Sequence, residues 1–133
     1  MNIVICASMT FAKEMNIAAK KLETMGHKAI VPLEIQRYLG SERLPDSREE
    51  KQELDVIRNY YHKIKENDAI LVLNYEKKGI KGYIGANTLI EMAFAYATEK
   101  PIFLLNEVPN MYSTDEILAM KAIILNGNLS EIN

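Results

Sequence analysis

The sequence predicts an α/β fold, because short apolar runs of strand length alternate with longer segments whose apolar residues recur at helical spacing. The apolar runs are Ile3 to Cys6, Lys28 to Val31, Ala69 to Leu73, Ile102 to Leu105 and Ala122 to Leu125. The third run is apolar throughout, as expected of a central parallel strand that helices cover on both faces. The chain has 133 residues, of which 48% are hydrophobic. We therefore expect a single domain, residues 1–133, built as a three-layer sandwich around a five-stranded parallel sheet.

The first two helices are predicted from spacing and end signals. Between the first and second runs, apolar residues recur at helical spacing and a glycine follows where a helix C′ residue belongs: Phe11, Met15, Ala18, Leu22, Met25 and Gly26. After the second run, Tyr38 to Pro45 is expected to be a loop, and Asp46 or Ser47 can cap the next helix. One face of that helix is predicted to carry Leu54, Ile57, Tyr61 and Ile64.

The last two helices are predicted around capping signals. The third helix is expected from about Thr88, and Thr88 to Glu91 spells Thr-x-x-Glu. Ser113 to Glu116 spells Ser-x-x-Glu, a capping box ahead of a short fourth helix. The alternation βαβαβαβαβ with right-handed crossovers then favours the flavodoxin- or Rossmann-like strand order 2-1-3-4-5.

This topology places ligands outside the carboxyl ends of the strands, near the switch point between the first and third strands. Three segments are expected to line that crevice: Ala7 to Thr10, Asn74 to Asn87, and the chain from Asn106 onward. Asp68 lies at the amino end of its strand, so it is interpreted as structural.

Composition excludes several classes of function. A net charge of −2 with interleaved acidic and basic residues gives no global attraction to nucleic acid or to an anionic membrane. One cysteine cannot form an intramolecular disulfide, and two isolated histidines with Cys6 do not make a usual zinc site. Cys6 is interpreted as a small apolar residue of a buried strand. No targeting segment or membrane span is recognised, so we expect a soluble cytoplasmic protein.

Glu91 is the residue that most needs an explanation, because it lies in an almost wholly apolar helical run. An ionised carboxylate buried without partners is costly, so this one is either paired structurally or used chemically. As the last residue of Thr-x-x-Glu, Glu91 can bond the backbone amide of an N-cap Thr88. If the helix instead starts earlier, Asn87 and Thr88 share the face of Glu91, and they can orient its carboxylate or meet a substrate hydroxyl.

Two loops offer further candidates. Gly79, Gly82 and Gly85 match neither the dinucleotide fingerprint nor the phosphate loop, so they are interpreted as a mobile approach loop. The lysines of this loop form either a solvated charge cluster, which the pattern favours, or phosphate ligands: Lys77, Lys78 and Lys81. The small residues after the first strand make a good phosphate seat at a helix N-terminus. Alternatively, Ser8 or Thr10 only caps that helix.

Gly85 to Ala95, followed by Lys100-Pro101-Ile102, resembles the nucleoside 2-deoxyribosyltransferase-like superfamily, which includes the 2′-deoxynucleoside 5′-phosphate N-hydrolases. The resemblance covers most of the chain in order, and the helix that carries Glu91 is its specific part. In that family a glutamate attacks the anomeric carbon of the sugar, the base leaves, and water or a second base resolves the glycosyl-enzyme. Glu91 matches that glutamate, and Ser8 resembles a serine of the first turn in the hydrolases.

The resemblance implies cleavage or transfer at the N-glycosidic bond of a nucleoside or a nucleoside 5′-monophosphate, without a metal or another cofactor. The implied substrate-binding residues are Ala7, Ser8, Met9, Tyr83, Gly85, Asn87, Thr88 and Asn106. It also implies a homo-oligomer, a dimer or larger, whose subunits share residues across the interface. Cleavage of NAD by the same attack on a ribosyl carbon is a weaker possibility.

The chain departs from the family at three positions. The family's first-strand Tyr falls at Val4 or Ile5, its Asp in the helix before the third strand falls at Tyr60, and its Asp six residues before the nucleophile falls at Gly85. Tyr83, Asn87 or a residue of a neighbouring subunit can substitute for these groups. The alternative expectation is therefore a non-catalytic module that binds or senses a nucleotide on the same scaffold.

Overall fold

The structure is a computed structural model that describes residues 1–32, 35 and 55–133. Its sheet has five strands: β1 (Asn2–Cys6), β2 (Lys28–Ile30), β3 (Ala69–Val72), β4 (Ile102–Leu104) and β5 (Ile123–Ile124). All neighbouring strands run parallel, in the order β2-β1-β3-β4-β5. Cys6 pairs with Val72, so β1 and β3 end at the same level on the carboxyl edge. The predicted α/β class and strand order are confirmed.

Four α-helices lie among the described residues: α1 (Ala12–Thr24), α2 (Val56–Glu66), α3 (Ala86–Ala97) and α4 (Thr114–Ala119). A 3-10 turn, Met9–Phe11, leads into α1, and a second one, Leu129–Glu131, follows β5. Gly26 follows α1 at φ +92° and donates its N–H to Glu23, while His27 donates to Leu22. The predicted glycine C′ position is therefore confirmed.

The helices pack against the two faces of the sheet in two separate apolar clusters. On one face, α1 and the segment after β5 cover side chains of alternate strand positions, including Ile3, Ile5 and Leu71. On the other face, α2, α3 and α4 cover the intervening positions, including Val4 and Cys6. No helix of the described residues is both long enough and apolar enough to cross a membrane.

The buried face of α2 differs from the prediction. This helix begins at Val56, after Asp55 in the left-handed region at φ 46°. Ile64 is buried as predicted, but Ile57 is exposed and Tyr61 is half-buried, and the Tyr60 ring is the one that enters the cluster between α2 and the sheet. The predicted loop Tyr38 to Pro45, the caps Asp46 and Ser47, and Leu54 lie outside the described residues.

The capping box predicted at Ser113 is wrong. Ser113 precedes α4 but has ψ near 10° instead of the extended backbone that an N-cap needs, and its side chain makes no cap bond. The buried Ser113 hydroxyl has no hydrogen-bond partner among the residues that the structure describes. The neighbouring Thr114 hydroxyl instead accepts the Met111 N–H at 2.8 Å and lies 2.7 Å from the Pro109 carbonyl.

Candidate active site at the carboxyl edge

The start of α3 excludes the capping-box interpretation of Glu91. The N-cap position is Gly85, and Leu89 donates its N–H to the Gly85 carbonyl at 3.0 Å. Thr88 therefore lies inside the first turn and is buried, so it is not an N-cap whose amide Glu91 could bond. Asn87 and Thr88 are four and three residues before Glu91 on the helix, and they share its face.

Glu91 reaches the end of the first strand. It is half-buried on α3, and its carboxylate lies near the thiol of Cys6, the last residue of β1. Burial raises the pKa of the Cys6 thiol well above its ordinary value, and the nearby Glu91 carboxylate raises it further. Cys6 therefore keeps its proton, and it is not a thiolate nucleophile.

Tyr60 comes to the same strand end. Its buried hydroxyl donates to the carbonyl of Ile5 at 2.6 Å, one residue before Cys6. The pairing of β1 with β2 ends at Val4, which lies opposite Ile30. The Tyr60 hydroxyl therefore satisfies a carbonyl that lies just past the end of the neighbouring strand. The position where the resemblance expects an Asp carries a phenol that packs at this edge.

A lysine meets the turn after β1. Ser8 is the N-cap of the 3-10 turn, and its hydroxyl accepts the Thr10 N–H at 3.3 Å, which confirms the capping role proposed for it. The same oxygen accepts a hydrogen bond from the Lys77 ammonium at 2.9 Å. No carboxylate among the described residues forms an ion pair with Lys77. A positive charge therefore lies beside the turn that leads from β1 into α1, which is a favourable place for an anion.

Tyr83 lies between the lysines of the glycine-rich loop. The ammonium groups of Lys77 and Lys78 are 5.9 and 5.6 Å from the centre of its ring, within cation–π range. We call Cys6, Ser8, Lys77 and Glu91 the switch-point cluster, because all four lie where β1 meets the chain after β3. Cys6 and Ser8 are two positions apart in the chain, a span of at most about 7 Å.

The glycine-rich loop is a tight hairpin. Lys77 and Ile80 exchange both backbone hydrogen bonds, at 3.1 and 3.0 Å. The two central residues, Lys78 and Gly79, have φ of 53° and 73°, the left-handed conformations that a two-residue hairpin turn requires. The backbone of Lys77 is therefore fixed by the turn itself.

A buried amide ties this hairpin to the loop after β4. The Asn74 side chain donates to the carbonyls of Asn106 and Glu107, each at 3.1 Å, and to that of Gly82 at 3.4 Å. Its oxygen accepts the Asn106 N–H at 2.9 Å, and the Asn106 amide donates back to the Asn74 carbonyl at 3.1 Å. We call Asn74, Gly82, Asn106 and Glu107 the amide latch.

Gly82 is required in the latch for two reasons. Its φ is +72°, and a Cβ there would lie 2.7 Å from the Glu107 carbonyl oxygen and 3.2 Å from the Asn74 amide nitrogen. Beside the latch, an open groove of about 810 Å³ follows the ends of the later strands. Glu91, Ser8 and Lys77 do not line this groove, so the two features are separate parts of the edge.

The predicted binding residues have different environments in the structure. Ser8 meets Lys77, Tyr83 lies beside Lys77, and Gly85, Asn87 and Thr88 start the helix of Glu91. The Met9 side chain is buried in the core beneath α1, and Ala7 packs against the same core, so their backbone amides are what they can offer a ligand. Asn106 belongs to the latch and lines the groove, away from Glu91.

Sequence reasoning gives too little weight to three residues. The pattern favours Lys77 as a solvated charge over a phosphate ligand, and Asn74 is only one end of a segment expected to line the crevice. A polar residue directly after an apolar strand is the signal that singles out Asn74. Cys6 was correctly expected to be buried, but its contact with Glu91 has no local sequence signal.

No described residues form a group of three or more His, Cys, Asp or Glu side chains placed to hold a metal ion. No protein-family model, curated protein or solved structure matches the chain.

Proposed function

We propose that this protein cleaves or transfers the N-glycosidic bond of a nucleoside or a nucleoside 5′-monophosphate, with Glu91 as the nucleophile. The position of the Glu91 carboxylate carries the proposal. It lies in the second turn of α3 against the end of β1, at the switch point where open α/β sheets bind ligands. The capping interpretation, which would give this carboxylate a purely structural role, is excluded by the start of α3.

The chemistry begins with the Glu91 carboxylate. Glu91 attacks the anomeric carbon, and the base leaves with the electron pair of the broken C–N bond and takes up a proton. Water then attacks the same carbon and releases the sugar, or a second base does so and completes a transfer. The Cys6 thiol beside the carboxylate keeps its proton, so it adds no second negative charge next to the nucleophile.

The 5′-phosphate is assigned to the turn after β1. Ser8 and Lys77 supply a hydroxyl and a positive charge at one place, where the 3-10 turn leads into α1. Cys6, which lies near Glu91, and Ser8 are two positions apart in the chain, so this seat and Glu91 are at the same end of β1. Tyr83 offers an aromatic face beside the same lysine.

A second candidate function is a non-catalytic module that binds or senses a nucleotide. The contact between the Ser8 hydroxyl and the Lys77 ammonium favours this second candidate, because it offers a place for phosphate that does not depend on Glu91. Under this alternative the anion seat binds phosphate, and no base is released.

The resemblance extends the proposal to a homo-oligomer. Large apolar side chains are exposed in and around α4 and on the edge strand β5: Tyr112, Leu118, Ile123 and Ile124. Apolar surface of this kind is common where subunits associate, and it supports that part of the proposal.

The experiment is to incubate the purified protein with nucleosides, 5′-monophosphates and NAD, and to measure released base by chromatography. Glu91→Gln keeps the shape of the side chain and removes the nucleophile. We expect it to reduce base release by about 10⁴-fold or more. Glu116→Gln is the matched control, since it makes the same change on an exposed position of α4 and should keep full activity.

The outcomes separate the candidates. Release by the parent and the control, but not by Glu91→Gln, supports the proposed reaction. Equal release by Glu91→Gln removes Glu91 as the nucleophile. No release from any substrate, with stabilisation by a nucleotide, supports the binding module instead.

A further inference from the structure

We infer that Asn74 is a positioning residue for the anion seat: through the amide latch it holds the hairpin that places Lys77 against Ser8. The inference rests on the proposed function in that the anion is taken to be the substrate's 5′-phosphate. It assigns a role to a residue that touches neither Ser8 nor Lys77.

The first step is that one buried side chain closes the base of the hairpin. Asn74 is 1% exposed, and its amide nitrogen reaches the Gly82 carbonyl, so it joins the two ends of the loop that contains Lys77. Within the loop, Lys77 and Ile80 exchange both backbone hydrogen bonds. With its ends joined and its turn closed, the loop has little freedom left at Lys77.

The second step is that the same side chain fixes the loop to the sheet. The Asn74 amide nitrogen also donates to the carbonyls of Asn106 and Glu107, in the chain that leaves β4. The Asn74 amide oxygen accepts the Asn106 N–H. An amide is required, because only it offers both two donor hydrogens and an acceptor. A carboxylate in this place would face three carbonyl oxygens without a donor.

The third step is that Lys77 needs such support. A lysine side chain is long and flexible, and ordering it costs conformational entropy. The short contact to Ser8, at 2.9 Å, is the only hydrogen bond that holds its ammonium among the described residues. A fixed backbone at Lys77 leaves less conformational freedom to be lost when an anion binds, so it lowers the entropy cost of binding.

The test uses Asn74→Asp, which keeps the size of the side chain and removes its donors. Inorganic phosphate is titrated against the melting temperature of each variant, and KM and kcat are measured for a 5′-monophosphate and its nucleoside. We expect the phosphate-induced stabilisation to be largely lost. We expect KM to rise about ten-fold for the monophosphate and to stay nearly constant for the nucleoside.

A double-mutant cycle separates positioning from general structure. If Asn74 acts through Lys77, Asn74→Asp has little further effect on phosphate binding once Lys77→Gln is present. A purely structural Asn74 would lower phosphate affinity by the same factor in both backgrounds. Asn110→Asp, the same change on an exposed residue beside the latch, should behave as the parent. Asn74→Ser, which keeps a hydroxyl donor, replaces Asn74→Asp in the cycle if the latter does not fold.

Failure of this inference differs from failure of the proposed function. Unchanged phosphate binding in Asn74→Asp, additive effects in the cycle, or a parent that does not bind phosphate overturns the role of Asn74. Absence of base release from every substrate overturns the proposed reaction but leaves the phosphate titration and the cycle as full tests of Asn74.

Discussion

The two polar clusters of the carboxyl edge are built from different kinds of contact. In the amide latch, one neutral side chain makes four short or moderate hydrogen bonds to backbone groups. In the switch-point cluster, charged side chains lie beside small polar groups: Glu91 near the Cys6 thiol, and Lys77 at a capping hydroxyl. The comparison teaches that an uncharged side chain bonded to several backbone groups holds the chain in place, whereas charged side chains at this edge are suited to act on a ligand.

The largest stability effect is expected at the latch, from Gly82→Ala. The new Cβ would be strained by φ of +72° and would lie 2.7 Å from the Glu107 carbonyl oxygen, so the backbone must shift. Gly79→Ala is the matched control, because it has nearly the same φ, 73°, with nothing within 4 Å. We expect Gly79→Ala to lower the free energy of unfolding by about 1 kcal/mol and Gly82→Ala by about 2–4 kcal/mol.

Urea unfolding of both variants measures this difference. Equal destabilisation by the two substitutions would contradict the close approach of Gly82 to the chain after β4. It would also mean that close packing does not distinguish the amide latch from the switch-point cluster.

An intermediate effect is expected at the cluster, from Lys77→Gln. The change removes the charge that meets Ser8, so KM for a 5′-monophosphate should rise about ten-fold while KM for the nucleoside stays constant. The free energy of unfolding should change little, since Lys77 makes no ion pair among the described residues. Lys78→Gln removes an exposed charge of the same loop and serves as the control. Should both variants weaken monophosphate binding alike, only the net charge of the loop would matter.

The smallest effect is expected at Cys6, and it depends on pH. The raised pKa means that the folded protein keeps the thiol proton at alkaline pH, while the unfolded chain loses it above the ordinary value of 9.0. The unfolded state then binds fewer protons, so this group lowers the free energy of unfolding as pH rises above about 9. Cys6→Ala removes that contribution.

The loss of stability between pH 7 and pH 10 should accordingly be about 1 kcal/mol smaller in Cys6→Ala than in the parent. Tyr75, whose pKa is also raised by burial, titrates in both proteins and cancels in the difference. Denaturant unfolding at the two pH values gives the result. Parallel losses in the two proteins would show that the thiol is not held protonated beside Glu91.

Much of the fold was predictable because its signals are local. Apolar runs gave the five strands, Gly26 marked the end of α1, and the alternation of elements led to the observed strand order. The wrong cap at Ser113 has a cause outside the local pattern. Ser-x-x-Glu satisfies a sequence motif, but a cap also needs a particular backbone conformation, which the neighbouring loops determine. For the same reason the sequence left two interpretations of Thr88 open, and the start of α3 decides between them.

The candidate site was predictable only in part. Glu91 stood out because a carboxylate in an apolar helix needs a reason, and Ser8 because small residues end the first strand. Lys77 did not stand out, because a lysine beside glycines looks like any solvated charge. Its contact with Ser8 joins residues 69 positions apart, and no local pattern contains it.

The sequence by itself determined the class of fold, the edge at which polar residues gather and the anomaly of Glu91, because periodicity, strand length and burial cost act within a segment. Tertiary structure decided which of those residues meet. The parallel pairing of β1 with β3 brings the turn after Cys6 beside the hairpin of Lys77, and the packing of α3 on that face turns Glu91 towards the thiol. Such meetings depend on how distant segments are packed together, which no single segment encodes.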